Sequence, residues 1–176
     1  MTQQVSATQN RRVIIIRHEP TRENRSGIIQ GQNIDGVLEN SVIDPNKISW
    51  LGNNISGSSV ILCSSLARAE HSGRLISSVL GIPMITVPLL RQRCWGIIEG
   101  KTLKELGIAF VKNAFSADVD KLAQGAESLS DVCMRVRTVW GFIFNLTERT
   151  VIVVTHDEFS NYLINDILGE GLFKRP

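Results

Sequence analysis

The chain has 176 residues, of which 43% are hydrophobic and 20% charged, a composition typical of one soluble globular domain. Its formal net charge of +2 is too small to indicate nucleic-acid binding, and no apolar run approaches the roughly 20 residues of a membrane-spanning helix. Residues 1–10 lack the pattern of a secretory signal, and the three cysteines have neither zinc-ligand nor redox-pair spacing. We therefore expect a cytoplasmic protein with a disordered tail over residues 1–11 and a single domain over residues 12–176.

Apolar runs and helical patterns alternate along the chain. Short β-branched or apolar runs predict strands over residues 13–16, 59–63, 83–87 and 150–155. Apolar residues at helical spacing predict helices over residues 46–56, 66–80, 129–146 and 158–168. The Gly-, Asn- and Gln-rich stretch 22–40 predicts a loop. This alternation favours an α/β fold, a three-layer α/β/α sandwich with a mainly parallel sheet.

Three of the predicted strands end in side chains that suit an anion. They are Arg17 and His18 after the first strand, Ser64 and Arg68 after the second, and Thr155, His156 and Asp157 after the last. Ligands of open α/β sheets bind just beyond the carboxyl ends of the strands, so we expect these side chains to lie close together. Guanidinium groups match phosphate geometry, and histidine can act as a nucleophile or carry a proton. The pattern therefore predicts an anion site with a nucleophile in it.

These motifs, taken in order, resemble the histidine phosphatase superfamily, the phosphoglycerate mutase-like group. Its residues here are Arg17-His18, Ser64-Ser65-Leu66-Ala67-Arg68-Ala69, Thr155-His156, Gln30-Gly31-Gln32 with Asp35, the stretch from Leu90 to Gly100, and Gly125-Ala126-Glu127-Ser128. The resemblance covers roughly residues 12–168, which makes it far more specific than any one motif. It implies a phosphoglycerate mutase-like fold in a single histidine phosphatase-like domain.

The resemblance also implies roles for individual residues. His18 would attack phosphorus and become a transient phosphohistidine, while Arg17 and Arg68 clamp the phosphoryl oxygens. His156 would donate a further hydrogen bond to the transition state, and neither a metal nor another cofactor is implied. The expected substrate-binding residues are Glu19, Asn24, Gln30, Gly31, Ser64, Gln92 and Thr155. Ser64 and Thr155 could equally serve as strand-end caps.

Four positions depart from the family pattern, and one of them is Pro20, which stands where an acidic residue is common. Glu19 and Asp157 stand where glycine commonly follows the two histidines, and Gln92 stands where the family frequently has its proton-donating glutamate. A glutamine cannot donate a proton to a leaving group. Asp157 is our leading candidate acid, because His156-Asp157 resembles the histidine-aspartate pair of the acid phosphatase branch. Glu19 is the second candidate, and a good leaving group that needs no acid is the third alternative.

We predict a metal-independent phosphatase that acts on a small phosphorylated metabolite. The alternative is a catalytically weak or inactive member that binds a phosphorylated ligand; a mutase and a protein phosphohistidine phosphatase are less favoured. Glu19 and Asp157 could also attract a cationic part of the substrate. We expect no nucleic-acid or membrane partner. A homodimer is left open, since Leu172 and Phe173 could either join an interface or fray.

Overall fold

The computed structural model describes residues 11–36, 38–39, 42–107 and 123–170. The strands are β1 (Arg12–Arg17), β2 (Ser59–Cys63), β3 (Met84–Thr86) and β4 (Thr150–Thr155), which form one parallel sheet in the order β1-β4-β2-β3. The helices that lie wholly within the described residues are α1 (Arg22–Arg25), α2 (Pro45–Asn54), α3 (Ala67–Leu80), α4 (Leu129–Phe144) and α5 (Asp157–Ile167), with 3₁₀ turns at Pro88–Leu90 and Gly96–Ile98. The predicted α/β fold with a parallel sheet is confirmed.

Strand β4 is the centre of the sheet, hydrogen-bonded to β1 on one side and to β2 on the other. All six of its residues are buried. Successive side chains of a strand point to opposite faces, so Val151 and Val153 pack on one side while Ile152 and Val154 pack on the other. A strand buried on both faces reads as a continuous apolar run, which is the pattern seen in the sequence.

Helices cover both faces of the sheet and form the outer two of the three layers. Helices α4 and α5 pack on the face of Val151 and Val153, and α2 and α3 pack on the face of Ile152 and Val154. The inward face of α4 consists of residues at helical spacing: Val132, Val136, Val139, Trp140 and Ile143. The core is therefore two apolar layers separated by the sheet.

Local sequence signals set the helix ends. The Ser128 hydroxyl accepts a hydrogen bond from the Asp131 amide at 3.1 Å and caps α4, as predicted. Gly81, with φ +65°, ends α3 in the left-handed conformation that glycine adopts without steric cost. The predicted loop after β1 contains the short helix α1, because Thr21 and Asn24 form a reciprocal capping box.

The parallel register brings three strand ends to the same edge of the sheet. The His18 amide donates to the Thr155 carbonyl at 2.9 Å, and the Ser64 amide donates to the Val154 carbonyl at 2.9 Å. The residues that follow β1, β4 and β2 are consequently neighbours.

The predictions for the two chain ends concern residues of which the structure describes only some. Residues 1–10 of the predicted tail, together with Leu172 and Phe173, lie outside the described residues. Arg11 is described, and its guanidinium group donates to the Ile143 carbonyl at 2.8 Å and the Glu148 carbonyl at 3.0 Å. Across the described ranges, no helix is both long and apolar enough to cross a membrane.

Candidate active site

Two histidines meet at the common edge of β1, β4 and β2. The ring centroids of His18 and His156 are 5.2 Å apart at an interplanar angle of 61°, and both side chains are buried. The Ser64 hydroxyl lies 2.9 Å from Nε2 of His156. The prediction that these strand ends converge is therefore met by the geometry, as the rule for ligand sites in α/β sheets requires.

The surroundings of His18 favour a nucleophilic imidazole. Its Nδ1 lies 2.6 Å from the Glu19 carbonyl, and because a carbonyl only accepts, Nδ1 carries the proton and Nε2 keeps its lone pair. The pKa of His18 is lowered to about 4, mainly by burial and also by the positive charges of Arg68 and Arg17, although the hydrogen bond to the Glu19 carbonyl acts in the opposite direction. The ring is thus neutral at physiological pH, with Nε2 available to attack.

Arg68 is almost fully buried, with only 2% of its surface exposed, and its charge is held by hydrogen bonds. Its guanidinium group donates to the carbonyls of Gly31 at 2.8 Å and Ile34 at 3.2 Å, and to Oδ1 of Asp35 at 3.0 Å. The Asp35 carboxylate also accepts the Ala67 and Arg68 amides at the start of α3, where Leu66 offers no side-chain cap. The loop from Gly31 to Asp35 therefore fixes both the charge and its direction.

Two buried nitrogens at this edge lack a partner among the described residues: Nδ1 of His156 and Nε of Arg68. Burial, followed by the positive charge of Arg68, lowers the pKa of His156 far below its usual value, so this ring is neutral as well. Buried polar atoms in folded proteins are nearly always hydrogen-bonded. The two orphaned nitrogens beside His18 therefore fit an anionic ligand that supplies the missing acceptors.

Both unusual carboxylates beside the histidines are paired with cations of this chain. Asp157 Oδ1 lies 3.7 Å from NH1 of Arg17, and both side chains are largely exposed at the mouth of the site. The Glu19 carboxylate pairs with the ammonium group of Lys47, and the Glu19 amide donates to the Ser72 hydroxyl at 2.9 Å. Because each carboxylate already faces a cation of this chain, these ion pairs weaken the hypothesis that the two carboxylates attract a cationic substrate group.

Two of the predicted substrate-binding side chains are instead engaged within the fold. Gln30 donates from Nε2 to the Thr21 hydroxyl at 3.0 Å and accepts the Gly36 amide at 3.2 Å. The Thr155 hydroxyl donates to the Leu90 carbonyl at 2.7 Å. Since these polar groups are buried and already satisfied, the geometry favours a structural role for both side chains.

The other predicted binding residues differ in how they reach the site. The Gly31 carbonyl accepts a hydrogen bond from the Arg68 guanidinium group, and the Ser64 hydroxyl is hydrogen-bonded to Nε2 of His156. Gln92 turns its side-chain oxygen to the Arg93 amide at 3.2 Å, while its carbonyl accepts Nε2 of Gln32 at 2.8 Å.

An open cleft of about 560 Å³ lies directly beside His18. It is lined by Arg17, His18, Glu19, Pro20, Asn24, Arg25 and Lys47. Asn24 is placed there by the first turn of α1, where its Oδ1 accepts the Thr21 amide at 3.1 Å. Within the described ranges, no group of three or more His, Cys, Asp or Glu side chains is arranged to hold a metal ion.

The importance of Glu99 was missed in the sequence. Its carboxylate accepts the amides of Trp95 at 2.7 Å, Gln32 at 3.0 Å and Asn33 at 2.6 Å. Glu99 thereby connects the stretch from Leu90 to Gly100 with the loop whose Gly31 carbonyl binds Arg68. The available signal was the Glu99-Gly100 pair, which counted only as part of a motif.

Glu158 is a second residue that the sequence reading did not single out. Its carboxyl group accepts Nε1 of Trp95 at 3.1 Å and the Tyr162 hydroxyl, and burial raises its pKa. Glu158 thus connects α5, the helix that begins directly after His156, with Trp95 in the stretch from Leu90 to Gly100. An acidic pair in the first turn of α5 was the only local signal.

Comparison with known proteins agrees with this geometry. The model of the histidine phosphatase superfamily (branch 1) matches residues 13–174. The probable phosphoglycerate mutase GpmB of Erwinia tasmaniensis is 25% identical over 162 residues, which are 89% of this chain and 74% of that protein. For the GpmB of Yersinia pestis the identity is 28% over 94 residues, which are 53% of this chain and only 43% of that protein.

Solved structures share the fold. The mycobacterial glucosyl-3-phosphoglycerate phosphatase in complex with VO3 superposes with a TM-score of 0.75 at 22% identity, covering 93% of this chain and 84% of that one. The α-ribazole phosphatase from Shigella flexneri gives a TM-score of 0.67 at 21% identity, covering 91% and 81%. The family model spans nearly the whole chain, and its motifs meet at one edge of the sheet. This chain belongs to the histidine phosphatase superfamily.

Proposed function

We propose that this protein is a metal-independent phosphatase that hydrolyses a phosphate monoester of a small metabolite through a phosphohistidine on His18. The observation that carries the proposal is a pair of buried nitrogens beside the neutral His18 ring, Nδ1 of His156 and Nε of Arg68, which have no hydrogen-bond partner in the described part of the chain. A phosphoryl group offers acceptors to both and an electrophilic phosphorus to Nε2. The relatives named as phosphatases of small phosphorylated molecules support this substrate class.

The proposed reaction has two steps. In the first, Nε2 of His18 attacks phosphorus, the N–P bond forms as the ester P–O bond breaks, and the leaving oxygen takes a proton from an acid. In the second, a water molecule attacks the phosphohistidine, the N–P bond breaks, and the same carboxylate takes the proton of the water. Arg17 and Arg68 neutralise the charge on the phosphoryl oxygens throughout.

We assign the acid role to Asp157. Gln92 has no proton to give, and the Glu19 carboxylate is already paired with the Lys47 ammonium group of this chain. Asp157 is exposed to solvent protons at the mouth of the site and is paired only loosely, at 3.7 Å, with Arg17. A phosphate dianion that engages Arg17 would draw this cation away from Asp157 and leave the carboxyl group available to the leaving oxygen.

The test is a rapid-quench trap with 4-nitrophenyl phosphate, stopped in alkaline denaturant because phosphohistidine is labile in acid. Mass spectrometry should find one phosphoryl group on His18, and His18→Ala should show none. The aryl leaving group needs no protonation, so Asp157→Asn should still form the adduct and should then lose it more slowly than the wild type. An adduct on another residue, or turnover in His18→Ala, would contradict the assignment.

A ligand-binding protein without turnover is the second candidate, and it is favoured by the resemblance that puts Gln92 where the family frequently has its proton-donating glutamate. In that case no ester would be hydrolysed and no adduct would form, while inorganic phosphate would still bind. A mutase would convert 3-phosphoglycerate to its isomer without releasing phosphate, which ³¹P NMR of the same mixture distinguishes from hydrolysis.

A further inference from the structure

Glu158 carries a carboxyl group close to the site that the proposed reaction does not use. It lies in the first turn of α5, which begins directly after His156. Whereas the side chain of Asp157 is largely exposed, the Glu158 carboxyl group is turned towards the interior. Its Oε2 accepts Nε1 of Trp95 at 3.1 Å and its Oε1 accepts the Tyr162 hydroxyl, and both donors belong to buried residues. Since a carboxyl group that leaves water costs free energy, this orientation requires an explanation.

Two hydrogen bonds attach the chain on either side of His156 to one neighbouring stretch. Before His156, the Thr155 hydroxyl donates to the Leu90 carbonyl at 2.7 Å. After it, Glu158 accepts the indole N–H of Trp95, further along the same stretch. The end of β4 and the start of α5 are therefore both fixed to this stretch. His156, whose Nδ1 has no partner among the described residues, is the residue between the two attachments.

The same stretch also supports the loop that holds Arg68. The Trp95 amide donates to the Glu99 carboxylate at 2.7 Å. That carboxylate also accepts the amides of Gln32 and Asn33, which belong to this loop. Trp95 therefore has one bond towards the loop, through its amide, and one towards α5, through its indole. The two side chains that carry the unpartnered nitrogens are thus connected through one tryptophan.

We infer that Glu158 is a positioning residue for the phosphoryl transfer, and that its bond to Trp95 sets the separation between the side chains of His156 and Arg68. This inference rests on the proposed function. Only interactions that are stronger in the transition state than in the ground state accelerate the chemical step. A small displacement of a group that binds the transferring phosphoryl oxygens removes much of that gain. Glu158 does not contact the substrate in this assignment, because it acts through the first turn of α5.

The competing explanation is that Glu158 only stabilises α5, since a negative charge near a helix N-terminus interacts favourably with the helix dipole. The two explanations differ for Glu158→Gln, which removes the charge but keeps an oxygen that can accept the indole N–H. If the bond to Trp95 positions His156, Glu158→Gln preserves the selectivity of the site and Glu158→Leu does not. If only the charge matters, both variants lower the free energy of unfolding, and neither changes the selectivity.

The experiment compares orthovanadate, which becomes five-coordinate like a phosphoryl group in transfer, with inorganic phosphate, a tetrahedral ground-state anion. Calorimetry gives the dissociation constant of each ligand, and their ratio measures the preference for the transition-state geometry. An unfolded fraction weakens the binding of both ligands equally, so it leaves this ratio unchanged. Glu158→Leu and Trp95→Phe should each reduce the preference for vanadate about five- to tenfold, the size that one hydrogen bond contributes. The double variant should lose no more than either single variant, and Glu158→Gln should retain the preference.

Asp166→Asn is the matched control, because Asp166 is a carboxylate of the same helix that pairs with Arg137 of α4. It removes a charge from α5 and should leave the preference for vanadate unaltered. Trp95→Phe leaves the sequence of α5 intact, so the test stands even where Glu158→Leu does not fold. An unchanged preference in Trp95→Phe, or an equal loss in Asp166→Asn, would overturn the positioning role. Failure of the phosphoenzyme trap would instead refute the proposed function, since the binding of these two anions does not depend on turnover.

Discussion

The Asp35→Asn substitution tests whether the loop that precedes Arg68 prearranges the guanidinium charge that we propose binds the phosphoryl group. Asp35 is the one carboxylate hydrogen-bonded to the Arg68 guanidinium in the part of the chain that the structure describes, at 3.0 Å. The same carboxylate accepts the Ala67 and Arg68 amides at the first turn of α3. Asparagine keeps the size of the side chain and one acceptor oxygen but removes the charge.

The expected loss of stability follows from these contacts. A hydrogen bond to a charged group contributes about 1.5–3 kcal/mol, and a carboxylate at a helix N-terminus contributes about 0.3–1 kcal/mol. Breaking a fully buried ion pair costs about 3–5 kcal/mol, but Asp35 is partly exposed and Arg68 keeps the Gly31 and Ile34 carbonyls. We therefore expect Asp35→Asn to lower the free energy of unfolding by about 2–3 kcal/mol.

Urea unfolding at pH 7 measures this loss, and steady-state kinetics with 4-nitrophenyl phosphate should show a raised KM because Arg68 is less firmly positioned. Asp131→Asn is the control, since Asp131 is an exposed carboxylate in the first turn of α4 that contacts only its local cap. Its cost should stay below about 1 kcal/mol. Equal destabilisation by the two substitutions, with an unchanged KM for Asp35→Asn, would refute the reasoning.

Three further predictions concern pH, backbone and the histidine pair. The folded-state pKa of His18, about 4, lies below the unfolded value of 6.5, so the unfolded chain takes up the proton first as the pH falls. The contribution of His18 to the free energy of unfolding is therefore complete above pH 6.5, and about 3 kcal/mol of it is lost as the pH drops through 4. His18→Gln should flatten this decline in urea midpoints, and an unchanged slope would contradict it. Gly96 has φ +58°, and an added Cβ would lie 2.2 Å from the Gln124 carbonyl oxygen. Gly96→Ala should therefore lower the free energy of unfolding by about 3 kcal/mol or more. As the control, Gly141→Ala lies on an open face of α4 and should raise the free energy of unfolding by up to about 1 kcal/mol. Ser64→Ala leaves Nε2 of His156 without its 2.9 Å partner and should slow formation of the phosphoenzyme about tenfold, with Ser64→Thr restoring part of the rate; full activity in Ser64→Ala would rule out this role.

Much of the fold was predictable because its signals are local. The run of apolar residues in β4 predicted a strand buried on both faces, and Ser128 and Gly81 predicted a helix start and a helix end. The short helix α1 was missed, since its capping box lies in a stretch whose composition indicates a loop. Composition averages over a window, whereas a cap depends on two particular residues three positions apart.

The order of motifs along the chain determined by itself that His18, Arg68 and His156 would meet at one edge of a parallel sheet, because strand ends in such a sheet share an edge. Only the tertiary structure decided which charges neutralise one another there. Lys47 pairs with Glu19 across 28 residues and Trp95 bonds to Glu158 across 63, and such contacts depend on the path of the whole chain. The proposed catalytic residues lie at the ends of regular elements, whereas these partners come from helices and loops whose relative positions are set by packing.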